Sequence, residues 1–362
     1  MNFTLYGTPT GSLMDWLASG IRRVMERHGF AYTENGANEV VRVVFNLMDP
    51  EKPRPYRRKA QATFVIGLVQ GPEVPDNVLA TAYPLLVRGL CNLLIYVVDT
   101  GEGPRTFFVT LEQGYYPIPY EQGNDEAYFE HLFRRLEPLA TSQLVVNNIF
   151  HTDLEEELWE GNEITRQIYE AGRRLDAMDL LPAPFPIRDF LSDADYRHLQ
   201  RLYTFGGLSY GNLSARQDER RFWMSASGVN KADLRVPGEH ILLVKGYDPE
   251  QNAMLLSVPP HVTPRRVSVD AIEHWLIYTE HPQVGAILHV RAWMEGIPST
   301  EINYPCGTLQ LGQAVAELVR KSPDPARAVI GLKNHGLTIT GPNLEDIFER
   351  IEGKILRQVP MS

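Results

Sequence analysis

Cysteine is scarce in this chain of 362 residues, which contains only Cys91 and Cys306. Two thiols so far apart in sequence do not make a disulfide framework, and such low usage is typical of a reducing compartment. Long apolar runs are also lacking: the longest, around residues 92–98, has the length of a strand, whereas a transmembrane helix needs about 20 apolar residues. The first residues lack the basic and apolar regions of a signal peptide. These absences predict a cytoplasmic protein without a membrane partner.

An excess of basic charge is missing as well. The chain has 45 acidic and 35 basic side chains, which gives a formal net charge of −10 at pH 7. Its densest basic run, Arg54–Lys59, is short and lies beside prolines. A nucleic-acid-binding surface needs a basic patch or stripe, so we expect no nucleic-acid partner. The composition is that of a globular protein, and the length favours two domains.

A proline-rich segment at 181–190 is predicted to be a linker, because clustered prolines interrupt helices and extend the backbone. Before it, residues 1–180 are predicted to form an N-terminal α+β domain of unknown role. A helical segment at 153–175 is predicted to pack on this domain or to bridge to the next. The other expected elements are strands at 40–48, 63–69, 92–98 and 106–111, and helices at 13–28, 78–90 and 126–136.

Residues 191–362 are predicted to form a second domain in which strands and helices alternate. This alternation predicts a central sheet with helices packed on it. The predicted fold class of the whole chain is α/β, or α+β overall. The expected strands are 222–224, 241–244, 254–256, 286–290, 328–332 and 338–340, and the expected helices are 192–203, 269–280, 309–321 and 344–356.

Five short motifs in this second half occur in a recognisable order. They are Gly211–Ser214, Met224–Val229, Val284–Val290, Gly307–Thr308 and Asn334–Leu337. Their order and spacing resemble the class II aldolase/adducin family from about residue 191 to residue 356. That family includes fuculose-phosphate and rhamnulose-phosphate aldolases, ribulose-phosphate 4-epimerase and the non-catalytic head domain of adducin. The resemblance implies a class II aldolase-like sheet with flanking helices, and residues 1–180 do not share it.

The resemblance also implies a site for an anionic group of the substrate. Gly211 lets the backbone approach a ligand closely, and the family uses the residue matching Asn212 to contact phosphate. Ser227 and Gly228 match the family's phosphate loop, where free backbone N–H groups and a hydroxyl form an anion nest. Ser268 retains one hydroxyl of the family's Pro-Ser-Ser stretch. The alternative at both glycines is a plain tight turn.

Asp270 falls on the family's acid/base carboxylate. A carboxylate near a metal can move a proton at a carbon next to a carbonyl group. The alternative is a simpler role, in which Asp270 caps the N-terminus of the helix that follows.

The family binds a divalent metal, typically zinc, through a His-x-His pair on a strand and a later histidine. His289 and His335 match two of these ligands, but Arg291 replaces the third, and a guanidinium has no free lone pair with which to ligate. One interpretation is that the metal is retained, with Glu273 or His274 as a replacement ligand. The other is that the metal is lost and Arg291 binds an anion. Zinc is the first expectation for the metal, with iron or manganese as alternatives.

We therefore expect aldol or retro-aldol cleavage of a small, sugar-like polyhydroxylated carbonyl compound, with or without a phosphate group. By resemblance, the assembly would be a homo-oligomer, a tetramer. One alternative is a catalytically lapsed, adducin-like binding or scaffold protein, and another is a non-haem iron enzyme on the same fold. Cys306 is assigned no function, because nothing in its neighbouring sequence suggests an activating base.

Overall fold

The computed structural model describes residues 1–34, 41–58, 63–181, 187–203 and 211–362. The chain divides into two compact units, each built on one β-sheet. Unit 1 comprises Met1–Thr141, Phe185–Tyr203 and Met361–Ser362, and unit 2 comprises Ser142–Pro184 and Thr204–Pro360. Two sheets with packed helices confirm the predicted mixed α/β fold class.

The strands in the described part of the chain are β1 (Asn2–Tyr6), β2 (Ala31–Tyr32), β3 (Val43–Leu47), β4 (Phe64–Gly71), β5 (Leu93–Asp99), β6 (Pro104–Thr110), β7 (Gly114–Ile118), β8 (Asn147–His151), β9 (Asn212–Arg216), β10 (Phe222–Ser225), β11 (Ile241–Asp248), β12 (Ala253–Ser257), β13 (Ala286–Val290), β14 (Val329–Leu332) and β15 (Gly336–Gly341). The helices there are α1 (Ser12–Arg27), α2 (Val78–Arg88), α3 (Asp125–Thr141), α4 (Glu163–Ala177), α5 (Asp193–Tyr203), α6 (Ala271–Glu280), α7 (Leu309–Lys321) and α8 (Leu344–Ile351). None of these helices is long and apolar enough to cross a membrane.

Unit 1 is a seven-stranded sheet in the order β2-β1-β3-β4-β5-β6-β7. The pairs from β2 to β5 are parallel, and β6 and β7 then pair antiparallel at the edge. Helices α1 and α3 bury one apolar face each in a shared core, because their apolar residues recur every three to four positions. Leu17 and Ile21 of α1 and Leu132 of α3 are completely buried there.

Unit 2 is an eight-stranded sheet in the order β14-β15-β13-β9-β10-β11-β12-β8. Its pairs are antiparallel except the last, in which β8 runs parallel to β12. Strands β10 and β13 are buried along their whole length, which is typical of strands covered on both faces. Trp223 of β10 is completely buried in this core.

The division of the chain into two units differs from the one predicted from the proline-rich segment. The segment 142–181 groups with unit 2, because β8 adds to the unit 2 sheet and α4 packs against β9 and α8. Helix α5 groups with unit 1, where Arg88 makes two hydrogen bonds to Asp195, at 2.9 and 2.7 Å. Residues 182–186 of the predicted linker lie outside the described residues.

The predicted helix at 153–175 starts later than expected. Its first part contains a short 3-10 turn, Glu156–Leu158, and α4 begins only at Glu163. Asn162 sets this start, because its side chain accepts hydrogen bonds from the backbone N–H groups of Ile164 and Thr165. Thr165 returns a bond to the backbone N–H of Asn162 and completes a capping box.

Candidate active site

A row of polar side chains crosses three central strands of unit 2. His289 on β13 pairs with Asn212 on β9 and with Thr338 on β15. Residues that pair across an antiparallel sheet present their side chains on the same face. The sheet register therefore brings two predicted site residues together, although 77 positions separate them in the sequence (289 − 212).

Helix α6 covers this polar row and bonds to it at several points. Glu273 accepts a hydrogen bond from the hydroxyl of Thr338 at 2.5 Å. His274 Nδ1 lies 2.7 Å from the hydroxyl of Ser214, which is two residues beyond Asn212 on β9 and so on the same face. The hydroxyl of Tyr278 lies 2.9 Å from that of Ser214. All of these side chains are buried, and their hydrogen bonds offset the cost of removing polar groups from water.

Asp270 stands at the N-cap position of α6, but its side chain makes no capping hydrogen bond. Its Oδ2 instead accepts a hydrogen bond from Asn212 Nδ2 at 2.7 Å, and its Oδ1 accepts one from the backbone N–H of Gly307 at 3.2 Å. The capping alternative for Asp270 is therefore wrong. Its carboxylate is buried and held between β9 and the 305–308 loop.

His289 and His335 form a buried imidazole pair. Their Nε2 atoms lie 3.0 Å apart, and the two rings are stacked with centroids separated by 4.8 Å. Nδ1 of His289 lies 2.9 Å from the carbonyl oxygen of Leu337. Because a carbonyl only accepts, Nδ1 of His289 must carry the proton, and Nε2 of the neutral ring then holds the free lone pair.

Two glycines let the backbone close in around these histidines. A Cβ atom on Gly211 would lie 2.4 Å from the carbonyl oxygen of His289, and one on Gly336 would lie 2.2 Å from that of Val290. Asn334, in the turn that carries His335, has a φ of 57°, a left-handed conformation that asparagine tolerates better than most residues. The Gly-Asn and Asn-His-Gly motifs thus have a direct structural role in placing His289 and His335.

The electrostatic environment keeps both imidazoles neutral. Burial is the largest cause that lowers the pKa of His289 and of His335, and the guanidinium of Arg291 lowers both further. Asp270 acts in the opposite direction on His289. A metal-binding imidazole must be unprotonated, so this environment suits ligation.

The separation of the two histidine Nε2 atoms is close to what the metal implied by the resemblance requires. Two nitrogens on one tetrahedral zinc, each about 2.0–2.1 Å from it, lie about 3.4 Å apart. The Nε2 atoms of His289 and His335 lie 3.0 Å apart, so they need to separate by only about 0.4 Å. The carbonyl that fixes Nδ1 of His289 is also the outer contact that ligating histidines commonly have. This pair fits a divalent metal.

The two predicted replacement ligands are engaged elsewhere through one atom each. Glu273 binds Thr338 through Oε1 and His274 binds Ser214 through Nδ1. The remaining atoms, Glu273 Oε2 and His274 Nε2, are buried and have no hydrogen-bond partner in the described part of the chain. Burial and the nearby Asp270 raise the pKa of Glu273, and burial lowers that of His274 to about 3. Both groups are therefore neutral at pH 7, and their ligand role stays a prediction.

Cys306 is a site residue that sequence reasoning missed. Its Sγ lies 2.9 Å from Nε2 and 3.2 Å from Nδ1 of His335. The expectation that no base accompanies Cys306 is wrong, because the sheet brings up a histidine from 29 positions further along the chain. Cys306 directly precedes the Gly307–Thr308 motif, whose Gly307 N–H donates to Asp270, and this position in the sequence was the available signal.

Lys231 is the second missed residue. It is only 3% exposed, and burial lowers its pKa to about 8, an effect that the nearby Asp270 opposes. The backbone of Lys231 packs directly on α4, where a Cβ atom on Gly172 would lie 1.9 Å from the Lys231 carbonyl oxygen. The signal in the sequence was its position just after the Ser227–Gly228 motif.

The predicted anion-binding residues have different environments. Ser227 is exposed, but its backbone N–H already donates to the carbonyl of Arg266 at 2.8 Å, so the free N–H expected there is absent. Gly228 has a φ of 70°, which explains a glycine at this turn. Ser268 and Arg291 are buried.

Asn212 presents an acceptor where the resemblance implies a phosphate contact. Its amide nitrogen is committed to Asp270, and its Oδ1 is buried without a hydrogen-bond partner among the described residues. A carbonyl oxygen repels phosphate and accepts from a hydroxyl. This geometry suits a substrate hydroxyl at Asn212 better than a phosphate.

Comparisons with known proteins match this half of the chain. Residues 196–294 match the family described as Class II Aldolase and Adducin N-terminal domain. An L-fuculose 1-phosphate aldolase structure shares 16% identity over 53% of this chain and 81% of its own, with a TM-score of 0.37. The L-fuculose-1-phosphate aldolase of Thermus thermophilus shares 18% over 52% and 87%, with a TM-score of 0.33. YgbL of Klebsiella pneumoniae, a putative aldolase/epimerase/decarboxylase, shares 16% over 52% and 84%, with a TM-score of 0.34. No curated protein sequence matches the chain.

Proposed function

We propose that the protein is a divalent-metal-dependent lyase, because residues 196–294 match the family model of the class II aldolase and adducin N-terminal domain. The reaction is aldol or retro-aldol cleavage of a small, polyhydroxylated carbonyl compound that carries an anionic group. The observation that carries this proposal is the buried His289–His335 pair, whose Nε2 atoms converge to 3.0 Å within a site that keeps both rings neutral.

His289 and His335 would hold the metal, zinc in the first instance. A divalent metal bound there supplies Lewis acidity, which polarises a substrate oxygen and stabilises negative charge that develops on it. Asn212 orients the substrate by accepting a hydrogen bond from one of its hydroxyls at Oδ1. The positive charges of Arg291 and Lys231, both buried, favour an anionic group on the substrate.

Asp270 is the group that we propose moves the proton. The hydrogen bonds from Asn212 and Gly307 fix both of its oxygens, and a carboxylate held in this way can accept a proton from carbon or from a hydroxyl. Asp270 interacts electrostatically with the buried Lys231 and opposes the lowering of the Lys231 pKa by burial. Because both groups are buried, bulk water does not compete for that proton.

A cleavage assay tests the proposal. The full chain is incubated with a panel of ketose 1-phosphates and the corresponding free ketoses, and the released carbonyl products are measured. We expect cleavage that a chelator abolishes and added divalent metal restores. His289→Ala should lose both bound metal and activity, whereas the exposed control His198→Ala should keep them. Intact metal and activity in His289→Ala would contradict the assignment.

A catalytically lapsed binding module is the second candidate, and Arg291 is the observation that favours it. Its buried guanidinium lies close enough to lower the pKa of both histidines, and it also disfavours a cation between them. Elemental analysis of the native protein and of Arg291→His separates the two functions. Metal in Arg291→His but not in the native protein would replace the lyase by the binding module.

We also propose a homo-tetramer, on the family resemblance alone. Size-exclusion chromatography with light scattering tests this, and a monomeric mass would overturn it.

A further inference from the structure

We infer that the anionic group of the substrate is a carboxylate next to the reacting carbonyl group, bound by Arg291, rather than a phosphate bound at Ser227 and Gly228. The substrate is then a 4-hydroxy-2-oxo acid of the sugar-acid type. This inference rests on the proposed lyase function and narrows it to one class of substrate.

The two segments expected to hold a phosphate are paired with each other. Ala226 and Val267 form an antiparallel β-bridge. The backbone N–H of Ser227 donates to the carbonyl of Arg266 at 2.8 Å, and that of Ser268 donates to the carbonyl of the last residue of β10 at 3.1 Å. An anion nest is formed by successive backbone N–H groups that point at the anion. Two of the donors that a phosphate would use here are therefore taken up within the protein.

The third expected phosphate contact, Asn212, presents an acceptor. Its Nδ2 donates to Asp270 at 2.7 Å, and its Oδ1 is buried without a hydrogen-bond partner among the described residues. An amide oxygen accepts from a hydroxyl and repels a phosphate oxygen. Asn212 also pairs with His289 across the sheet. A substrate hydroxyl bound at Oδ1 thus lies beside Asp270, the group proposed to take its proton.

Arg291 brings an anion-binding group to the histidine pair itself. It follows His289 by two positions and is only 5% exposed. Its backbone touches the turn that carries His335, since a Cβ atom on Gly336 would lie 3.1 Å from Cα of Arg291. Its charge reaches both imidazoles and lowers the pKa of each. A guanidinium binds a carboxylate through two parallel N–H···O bonds, so an anion held by Arg291 lies close to the oxygen that reacts at the histidines.

The sheet separates this position from the loop around Ser227. The loop follows β10, which lies two strands from β13 in the order β13-β9-β10. Neighbouring strands are about 4.8 Å apart, so the loop is about 10 Å from His289. A phosphate in the loop would need several bonds between it and the reacting carbonyl group. A carboxylate attached directly to the carbonyl carbon fits the shorter separation at Arg291.

Cleavage of a 4-hydroxy-2-oxo acid balances with the groups already assigned. Asp270 takes the proton of the C4 hydroxyl, the C3–C4 bond breaks, and C4 with its oxygen leaves as an aldehyde. The electron pair of the broken bond gives the enolate of a 2-oxo acid, and Asp270 returns the proton to C3. The products are one aldehyde and one 2-oxo acid, and no oxidant, reductant or further reactant is needed.

Cleavage of a matched pair of compounds tests the inference. One compound is a 4-hydroxy-2-oxo sugar acid without phosphate, and the other is a ketose 1-phosphate with the same number of carbons. The full chain is incubated with Zn²⁺ and each compound, and the released aldehyde is measured. The variants are Arg291→Gln and Arg291→Lys, and Ser227→Ala is the control from the loop. Elemental analysis gives the metal content of each protein.

We expect kcat/KM of the native protein to be about 10-fold higher for the oxo acid, because only this compound makes the two hydrogen bonds to Arg291. Arg291→Gln should lower that kcat/KM roughly 10- to 100-fold, mainly through KM, which is the usual worth of hydrogen bonds to a charged group. Arg291→Lys should restore part of the loss, because it keeps the charge without the paired geometry. Ser227→Ala should have no effect on oxo-acid cleavage. Bound metal in Arg291→Gln should equal or exceed that of the native protein, since a positive charge near the metal is removed.

The outcomes separate this inference from the proposed function. Faster cleavage of the ketose 1-phosphate, lowered by Ser227→Ala but not by Arg291→Gln, would overturn the inference and leave the lyase function standing. Cleavage of neither compound nor of any ketose in the panel would overturn the proposed function. Calorimetric titration with pyruvate, the simplest 2-oxo acid, then decides the inference. It stands if Arg291→Gln loses pyruvate binding, and it falls if the native protein binds pyruvate no more tightly than Arg291→Gln does.

Discussion

Replacing Asp270 by asparagine is the sharpest test of the buried charges in the site. The carboxylate accepts from both Asn212 and Gly307, and it interacts electrostatically with the buried Lys231. The asparagine side chain keeps the shape but loses the charge. It also offers one acceptor where two are needed, so its NH₂ group would point at another N–H donor.

The expected loss of unfolding free energy depends on how Lys231 responds when the charge of Asp270 is removed. Lys231 either keeps its proton and stays charged without the neighbouring carboxylate, or it releases the proton, and the response that costs less free energy prevails. An unpaired buried charge costs about 3–5 kcal/mol. Lys231 has a pKa of about 8, so releasing its proton at pH 7 costs only about 1.4 kcal/mol. Lys231 therefore becomes neutral in the variant. One unsatisfied donor adds about 1–3 kcal/mol, and the expected loss in unfolding free energy at pH 7 is about 2–4 kcal/mol.

Urea unfolding followed by tryptophan fluorescence measures this loss. Four of the five tryptophans, Trp159, Trp223, Trp275 and Trp293, belong to unit 2 and report on the unit that contains Asp270. The control is Asp176→Asn, an exposed position on α4, which should change the unfolding free energy by about 0.5 kcal/mol at most. At pH 9 Lys231 is already mostly neutral in the native protein. The penalty of Asp270→Asn should therefore shrink by about 1 kcal/mol between pH 7 and pH 9. Equal stabilities of variant and native protein at pH 7, or a penalty that grows with pH, would refute the reasoning.

Three further predictions concern positions around the site. Gly172→Ala should destabilise unit 2 by about 1–3 kcal/mol in urea unfolding, because its Cβ would lie 1.9 Å from the Lys231 carbonyl oxygen. The control is Arg173→Ala, at an exposed position on the same helix. A Gly172→Ala variant that is more stable than the native protein would contradict this contact. The raised pKa of Glu273 means that the folded state keeps a proton that the unfolded chain releases, so this residue lowers stability as pH rises above its ordinary value of about 4.3. Glu273→Gln should remove that loss and gain stability relative to the native protein between pH 5 and pH 7; parallel curves from urea unfolding at each pH would count against it. Asn162→Ala should lose the capping box of α4 and about 1–2 kcal/mol of unfolding free energy, and an unchanged urea midpoint would show that the cap contributes nothing.

The periodicity of apolar residues in the sequence predicted several of the helices correctly. Helices α1, α3, α6 and α7 lie close to their predicted positions, because each has one apolar face or is buried on most sides. Strand β9 was missed, and its sequence Asn-Leu-Ser-Ala-Arg explains why. Its face beneath α6 is polar, with Asn212 and Ser214 bonded to helix side chains, so burial there leaves no apolar alternation to detect. Strand β8 was missed because it lies at the sheet edge and is only partly buried.

The candidate site was predictable where a motif carried it. His289, His335, Asp270 and Asn212 were located by short motifs, and the structure brings all four into one buried region of unit 2. Cys306 was not predictable in the same way, because its partner His335 reaches it only through the pairing of β13 with β15 and the turn before β15. A sequence motif records residues that are near in the chain, whereas this contact depends on the sheet.

Burial has opposite consequences for the neutral and the charged groups of this site. It lowers the pKa of His289 and His335 and so prepares them as ligands, and it does so at no cost while they stay neutral. The same low-dielectric surroundings make the positive charges of Arg291 and Lys231 expensive unless anions offset them, and Asp270 supplies one such anion. A divalent metal adds two more positive charges to this region. An anionic group on the substrate is a further source of negative charge that the proposed chemistry provides, so metal and substrate should bind as a mutually stabilising pair rather than as independent ligands.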